Sequence, residues 1–311
     1  MRILVIGASG LLGQALIERG LAAKQQMYGT YHSSRLDTSQ FPAAKAGAAL
    51  TLRPLDLSDE RAILALLNFV KPNAVIYAAG FHPVDACEKD PAGARQLHVT
   101  APSIVSAWCA KHGASMAYLS TDYVFDGAAG YYDESAAPGP QSVYARTKLE
   151  GENSVLAQKG AMCVVRTSVI YGAHDAKQNF VTWLISQLRA KKKVEVVTDQ
   201  FSTPTYVEDL AAALLELARA KRRGLYHGTG RSCLSRYEFA LMAADVFGLD
   251  QKLIRPIKTS SLKQAAKRPE NGCLIADKIE QETGVLFSTA REGLGKLKEK
   301  MGAHNTRKDI S

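Results

Sequence analysis

Arg2-Ile3-Leu4-Val5-Ile6-Gly7-Ala8-Ser9-Gly10-Leu11-Leu12-Gly13 opens the chain one residue after Met1. The apolar run Ile3-Leu4-Val5-Ile6 predicts a buried strand. The glycines behind it form a G-x-x-G-x-x-G pattern ahead of a helix expected to end near Gly20. In such a turn the first glycine permits the tight bend. The second lets a pyrophosphate approach the backbone at the helix N-terminus, and the third lets helix and strand pack closely. A glycine motif alone says little. Placed on the first strand of a βαβ pattern, it predicts a dinucleotide site on Gly7, Ser9, Gly10, Leu11, Leu12 and Gly13.

Working outward, strands are expected over 27–31, 49–55, 74–80, 116–119 and 162–167. Helices are expected over 59–70, 91–111, from Ser142 or Val143 onward, 179–191 and 207–220. This alternation predicts an α/β fold, a doubly wound parallel sheet with right-handed crossovers. A site selective for NADH usually has an acid at the end of the second strand. Here His32-Ser33-Ser34-Arg35 stands there, and Asp37 comes too late. Ser33, Ser34 and Arg35 therefore suit a 2′-phosphate and favour NADPH, with NADH as the alternative. Asp56, beside Leu57, is placed to accept from an adenine amino group or else to cap the following helix. Ala78-Ala79-Gly80 are small enough for a flat cofactor to lie against.

The chemistry is carried by Ser120-Thr121-Asp122-Tyr123-Val124-Phe125-Asp126-Gly127 and Tyr144-Ala145-Arg146-Thr147-Lys148. Thr121 falls at the carboxyl end of a strand, where open α/β sheets bind ligands. Tyr144 and Lys148 are four apart and share a helix face. A phenol donates a proton to a carbonyl oxygen, an ammonium lowers the phenol's pKa, and a hydroxyl holds the oxygen in place. A Tyr-x-x-x-Lys pair by itself is more often a surface pair. Its order along the chain, after a glycine turn and a strand ending in Ser-Thr, makes carbonyl reduction the better reading.

The 311 residues suffice for this domain and a smaller one. No apolar run is long enough for a bilayer, and Met1-Arg2 running straight into a strand does not read as a signal peptide. The five cysteines, Cys87, Cys109, Cys163, Cys233 and Cys273, show neither metal nor redox spacing. They predict free thiols in a cytoplasmic protein with no metal site. The net charge of +9 gathers at 189–193, 219–223 and 296–300, each expected near a helix end, where cations offset the dipole. No aromatic residues interleave with them, so a phosphate-bearing small molecule is favoured over nucleic acid.

These motifs resemble those of the extended short-chain dehydrogenases, in particular the dTDP-4-dehydrorhamnose reductase branch. Further matches are Val84-Asp85-Ala86-Cys87-Glu88, Arg166-Thr167-Ser168, Asn179-Phe180, 199–205 and Arg268-Pro269. The resemblance implies a Rossmann-type domain over 1–167 with a returning segment near 205–230. It also implies a smaller mixed α/β substrate domain over 168–204 and 231–302, a frayed tail over 303–311, and admits a homodimer. By carry-over Thr121, Tyr144 and Lys148 form the catalytic triad. Thr121, Val124, Phe125, Gln200 and Arg268 would meet a nucleotide-sugar, and the cofactor would be NADPH. Relatives include epimerases, dehydratases and a regulatory subunit of methionine adenosyltransferase. The chain departs from the branch at Val169, where Trp is usual, and at His98, where Asn is usual and the histidine either hydrogen-bonds in its place or is a plain helix residue. Ser202 stands for Gly, and Gly272 for Ser.

From the second-strand cluster the chain should bind NADPH more tightly than NADH, and Arg35→Ala should narrow that gap by about tenfold, one guanidinium–phosphate contact being worth about 1.5–3 kcal/mol. Equal affinities in the wild type, measured by fluorescence titration, would defeat this.

Overall fold

The computed structural model describes residues 1–33, 36–38, 41, 49–80, 84–174 and 178–308, with side chains described as far as Gly302. Ser34 and Arg35 of the predicted 2′-phosphate cluster lie outside the described residues.

The chain alternates strands and helices from its first residues. β1 (Arg2–Ile6) leads through the glycine turn to α1 (Leu11–Ala22), then β2 (Gln26–Tyr31) and β3 (Leu50–Pro54). α2 (Glu60–Val70) returns to β4 (Ala74–Tyr77). Next come α3 (Val84–Lys89) and one long helical stretch, in which α4 (Pro91–Arg95) passes through a π-helical turn (Gln96–Thr100) into α5 (Ala101–His112). β5 (Ser115–Thr121), α6 (Val143–Leu156) and β6 (Met162–Thr167) follow. These strands, with β11 (Gly224–His227), form a seven-stranded sheet in the order β11-β6-β5-β4-β1-β2-β3. All its neighbouring pairs are parallel. The order reverses between β1 and β4, and that switch point is where such sheets hold ligands.

The middle of the sheet is buried on both faces, so β1 and β4 read as apolar runs. On one face α1 packs with α8 (Val207–Arg219) through Leu16, Ile17, Leu210 and Leu214. On the other, α2 and α5 pack through Ile63, Leu67, Val105 and Trp108. A third apolar cluster gathers elements from later in the chain. These are β7 (Ile170–Tyr171), α7 (Phe180–Arg189), β8 (Val194–Val197), β9 (Phe201–Ser202) and β10 (Thr205–Tyr206). β12 (Leu234–Ser235), α9 (Arg236–Phe247), β13 (Ile254–Ile257), α10 (Asp277–Thr283) and α11 (Ala290–Lys308) complete the chain. The small strands pair as β7–β10, β9–β12 and β8–β13.

Three sequence expectations are corrected. Cys233 and Cys273 form a disulfide, with Cα atoms 5.6 Å apart. β12 pairs with β9, and Asn271 bridges Phe201 on the same strand. Forty positions of sequence separation thus close to one covalent bond, which spacing alone cannot reveal. Cys87, Cys109 and Cys163 are buried and take no part in this disulfide. The basic run 296–300 lies inside α11 rather than at a helix end. Its Lys296 pairs with Asp209, and its Lys300 with Glu18 and Glu208. The last helix runs to Lys308. Asp59, not Asp56 or Ser58, caps α2 by accepting from the Ala62 N–H. Among the described residues no helix is long and apolar enough to cross a membrane.

Two glycines give opposite expectations. A Cβ on Gly151 of α6 would strike the His98 carbonyl oxygen, whereas one on Gly295 of α11 meets nothing within 4 Å. Gly151→Ala should therefore destabilise by about 1–3 kcal/mol. Gly295→Ala should stabilise by about 0.5–1 kcal/mol. Urea denaturation of both variants checks the pair of signs.

Candidate active site

The site is built on the carboxyl ends of β4, β5 and β6. At the glycine turn the fit to a dinucleotide is direct. A Cβ on Gly7, whose φ is +92°, would come 2.9 Å from the Ala79 N, and one on Gly13 would strike the Gly7 carbonyl oxygen. At Gly10 a Cβ meets nothing closer than 3.5 Å. Gly10, where a Cβ would make only ordinary contact, stands at the head of α1, whose first turn carries no acidic residue and no side-chain cap. Its free N–H groups suit an anion. The Gly7 N–H donates to Thr30 Oγ1 at 3.2 Å, which fixes the turn to β2.

A cleft beside this turn is lined by Ala78, Ala79, Gly80, His98, Leu119, Ser120, Tyr144 and Lys148. It unites the predicted small-residue bed with the predicted tyrosine and lysine. Thr121 stands at the end of β5, next to Thr167 of β6 in register. Ser142 caps α6 through the Ala145 N–H at 3.2 Å and so sets the phase of Tyr144 and Lys148. The Thr121 hydroxyl is near enough to the Tyr144 phenol to act on its proton affinity as a hydrogen-bonding neighbour. Lys148 donates to the Leu119 carbonyl at 2.5 Å and stands 4.1 Å above the Tyr118 ring.

The electrostatics differ from the sequence expectation. Burial pushes the Tyr144 phenol up, and the effect pulling it back is the Thr121 hydrogen bond rather than the Lys148 ammonium. Burial also brings Lys148 down to about 7, with Glu152 acting in the opposite sense. With its Nζ turned to a carbonyl and no solvent around it, the lysine loses more from desolvation than it gains.

Other expected residues have different tasks. Arg268 gives its guanidinium to Asp85, at 3.1 and 3.0 Å, and to the Ala266 carbonyl at 2.8 Å. This bond holds the Asp85 carboxyl below its ordinary range. Both motif residues thus tie the 266–268 segment to α3. Val124 and Phe125 are fully buried, and the Phe125 ring stacks on Tyr132 at 4.1 Å. They anchor the loop instead of lining the cleft. Gln200 donates to Thr259 Oγ1 at 3.0 Å. Asp56 accepts from the Ser58 N–H and hydroxyl, each at 2.8 Å, and is exposed with Ser33. Leu57 packs against the apolar layer of α2 and α5.

Several residues take tasks that the sequence reading did not assign. His98 is not a plain helix residue. It sits in the π-helical turn, fully buried, with Nδ1 2.9 Å from Thr147 Oγ1 and its ring edge-on to Tyr144 at 5.4 Å. Such turns are frequent at functional sites. The Tyr123 ring stands edge-on to Tyr144 at 5.8 Å, and burial raises its phenol against the opposing charge of Arg236. Arg236 lies at the head of α9 with its guanidinium 5.5 Å over Phe180. Val169 has φ of +42°, a strained value for a β-branched residue. Ser202 and Gly272 are neighbours across the Phe201–Asn271 bridge. The two departures from the branch pattern thus follow the same bridge, and a Cβ at position 272 would meet the Asp122 carboxyl, not Ser202. The string from Ser120 to Gly127 was the available signal for Asp122 and Tyr123, and Arg236 was legible as one of the later arginines, with Arg255 and Arg268, that suit a diphosphate.

With this geometry in place, residues 1–302 match the family model described as RmlD substrate binding domain. The dTDP-4-dehydrorhamnose reductase of Aggregatibacter actinomycetemcomitans is 31% identical over 310 residues, covering 96% of this chain and 98% of that protein. The methionine adenosyltransferase 2 subunit beta of Xenopus tropicalis is 32% identical over 287 residues, covering 90% of this chain and 82% of that protein. The crystal structure of dTDP-4-dehydrorhamnose reductase from Bacillus anthracis in complex with NADP aligns with a TM-score of 0.80 and 26% identity, covering 96% of this chain and 99% of that one.

Lys148 makes a signed prediction. Its pKa in the folded chain, about 7, lies below the ordinary 10.5. As pH falls the unfolded chain takes up this proton first, so stability is lost from pH 10.5 down to about 7. Lys148→Met should thus raise stability at pH 7 by on the order of 2 kcal/mol while it abolishes turnover. Urea midpoints at pH 7 and at pH 10 measure this. A variant less stable than wild type at pH 7 would rule out the desolvation account.

Proposed function

Since the chain belongs to the RmlD substrate binding domain family, we propose that it reduces the 4-keto group of a nucleotide-activated deoxysugar with NADPH. The observation that carries this reading is the convergence of Thr121, Tyr144 and Lys148 beside the cleft that Ala78, Ala79 and Gly80 line.

NADPH, when bound, supplies the hydride. The Gly7-to-Gly13 turn would hold its pyrophosphate, and the Ala78-Ala79-Gly80 bed its flat portion. Lys148 would bind the nicotinamide ribose. Tyr144 gives its phenolic proton to the carbonyl oxygen as that oxygen becomes an alcohol, and Thr121 holds the oxygen in place. A ribose and a negatively charged cofactor beside Lys148 favour its protonated form, against the burial that lowers it. Arg236, whose charge acts on Asp122 and Tyr123, is better placed for a diphosphate than Arg268, which Asp85 already holds.

A dehydratase of the superfamily would carry a glutamate after the Thr-Asp pair, and Tyr123 occupies that position, which disfavours elimination. A cofactor-binding regulatory subunit is the second reading, and the methionine adenosyltransferase 2 subunit beta of similar length of match supports it. Retention of Thr121, Tyr144 and Lys148 favours the enzyme.

A panel of nucleotide keto-sugars assayed with NADPH, with product identification, tests the reading. Turnover should appear with the nucleotide-linked sugar, and Tyr144→Phe should lower kcat by about 10²–10⁴-fold while NADPH affinity stays nearly constant. Equal kcat/KM for the free sugar would remove the nucleotide-sugar assignment. No turnover of any keto-sugar, with NADPH still bound, would favour the regulatory reading.

A further inference from the structure

Asp122 is a buried carboxyl in the site that the reaction above leaves without a task. It is 4% exposed and opens the short turn after β5. Its Oδ2 accepts from Ser168 Oγ at 2.6 Å and its Oδ1 from Thr121 Oγ1 at 3.1 Å. Gly272 closes the space behind it, since a Cβ there would come 2.8 Å from Oδ2. The charged and titratable groups that act on it or on its partners are Arg236 from α9, Tyr144 from α6, and Tyr123 beside it.

The hydroxyl of Thr121 has one hydrogen and two lone pairs. The Tyr123 N–H already donates to it, at 3.2 Å. Asp122 and Tyr144 both lie within hydrogen-bonding reach of the same hydroxyl. One hydrogen cannot serve both, nor can it serve Asp122 and a substrate oxygen at once. A carboxylate is purely an acceptor and holds that hydrogen. A protonated carboxyl is a donor and reverses the bond.

We propose that Asp122 is a positioning residue: its ionised carboxyl turns the Thr121 hydroxyl away from the reacting oxygen, and its protonated carboxyl releases that hydroxyl to donate there. The proposal rests on the reading of carbonyl reduction at Thr121 and Tyr144. Burial supports it by bringing Asp122 up to about 6, against the hydrogen bonds of Ser168 and Thr121 and the charge of Arg236. The exchange therefore falls near neutral pH. A substrate that brings negative charge and displaces water moves it toward the protonated form.

The test has two arms. The carboxyl C=O band of protonated Asp122 is followed by infrared difference spectroscopy, wild type against Asp122→Asn, across pH. In parallel, kcat is measured across the same range with NADPH and the keto-sugar. The wild-type alkaline fall in kcat should track the infrared titration. Asp122→Asn, whose amide donates to Thr121 at every pH, should lack that fall. Its kcat relative to wild type should then rise by on the order of tenfold between acid and pH 8, part of the 10²–10³-fold that one oxyanion donor is worth. Ser168→Ala, which removes a bond to the carboxylate, should move both titrations to higher pH together, and it keeps the test available if Asp122→Asn folds poorly. An infrared titration that moves while the kcat profile stays put overturns the proposal, because Lys148 would then own the alkaline fall.

If no keto-sugar is reduced, the reading of function fails by itself, and Asp122 is judged on Tyr144. The phenolate absorbance of Tyr144, wild type against Tyr144→Phe, should titrate lower in Asp122→Asn. That shift should be lost in a Thr121→Val background, since the hydroxyl transmits it. A shift that persists without the hydroxyl is through-space charge and overturns the proposal.

Discussion

The placement of α6 rests on a buried ion pair. Arg166 of β6 gives Nε and Nη2 to Glu152, at 3.0 and 2.7 Å, and Ser120 of β5 adds its hydroxyl to the same carboxylate. Both side chains of the pair are nearly inaccessible. A buried pair of this kind is weak evidence for net stability, but removing one partner strands a charge at a cost of about 3–5 kcal/mol. It admits one register. Glu152 lies one turn beyond Lys148 and two beyond Tyr144, so a slip of α6 would break the pair before it moved the phenol. The guanidinium also stands 4.9 Å over the Phe125 ring, and its charge joins burial in holding His227 down to about 3. The loop from Val124 to Tyr132 is thereby fixed to the same anchor.

Close backbone approach does the rest of the positioning. Gly151 lets α6 lie against the His98 carbonyl, which also accepts from the Tyr118 hydroxyl at 2.9 Å. Tyr118 in turn offers its ring to Lys148. The π-helical turn, the glycine and the lysine form one packed unit, and His98 meets Tyr144 from behind it. A side chain at position 151 would separate the helix that carries the chemistry from the wall of the cleft.

The later part of the chain is attached by charge and by covalent closure. Lys300 of α11 places its Nζ 2.8 Å from Glu18 and 2.6 Å from Glu208, with His174 Nε2 at 3.4 Å. Two carboxylates and an imidazole so close together resemble a cation nest, and here an ammonium of the same chain fills it. The Cys233–Cys273 bond joins the strand leading into α9, and so into Arg236, to the segment whose Gly272 backs Asp122. Removing the free-thiol reading also removes the support that cysteine usage gave to a reducing compartment.

The sequence by itself determined the parallel sheet, the glycine turn and the pairing of Tyr144 with Lys148. Those features are local. Apolar runs, glycines at fixed spacing and a four-residue helical step are dictated by neighbours along the chain. The tertiary structure alone decided where Arg268, Phe125 and Gln200 spend their polar or aromatic groups, because each partner lies 7 to 183 positions away. It also decided the disulfide and the charge states of Asp122 and Lys148. Those depend on how much water is excluded and on which carbonyl or hydroxyl stands opposite, and desolvation is a property of the packed interior that no stretch of sequence carries.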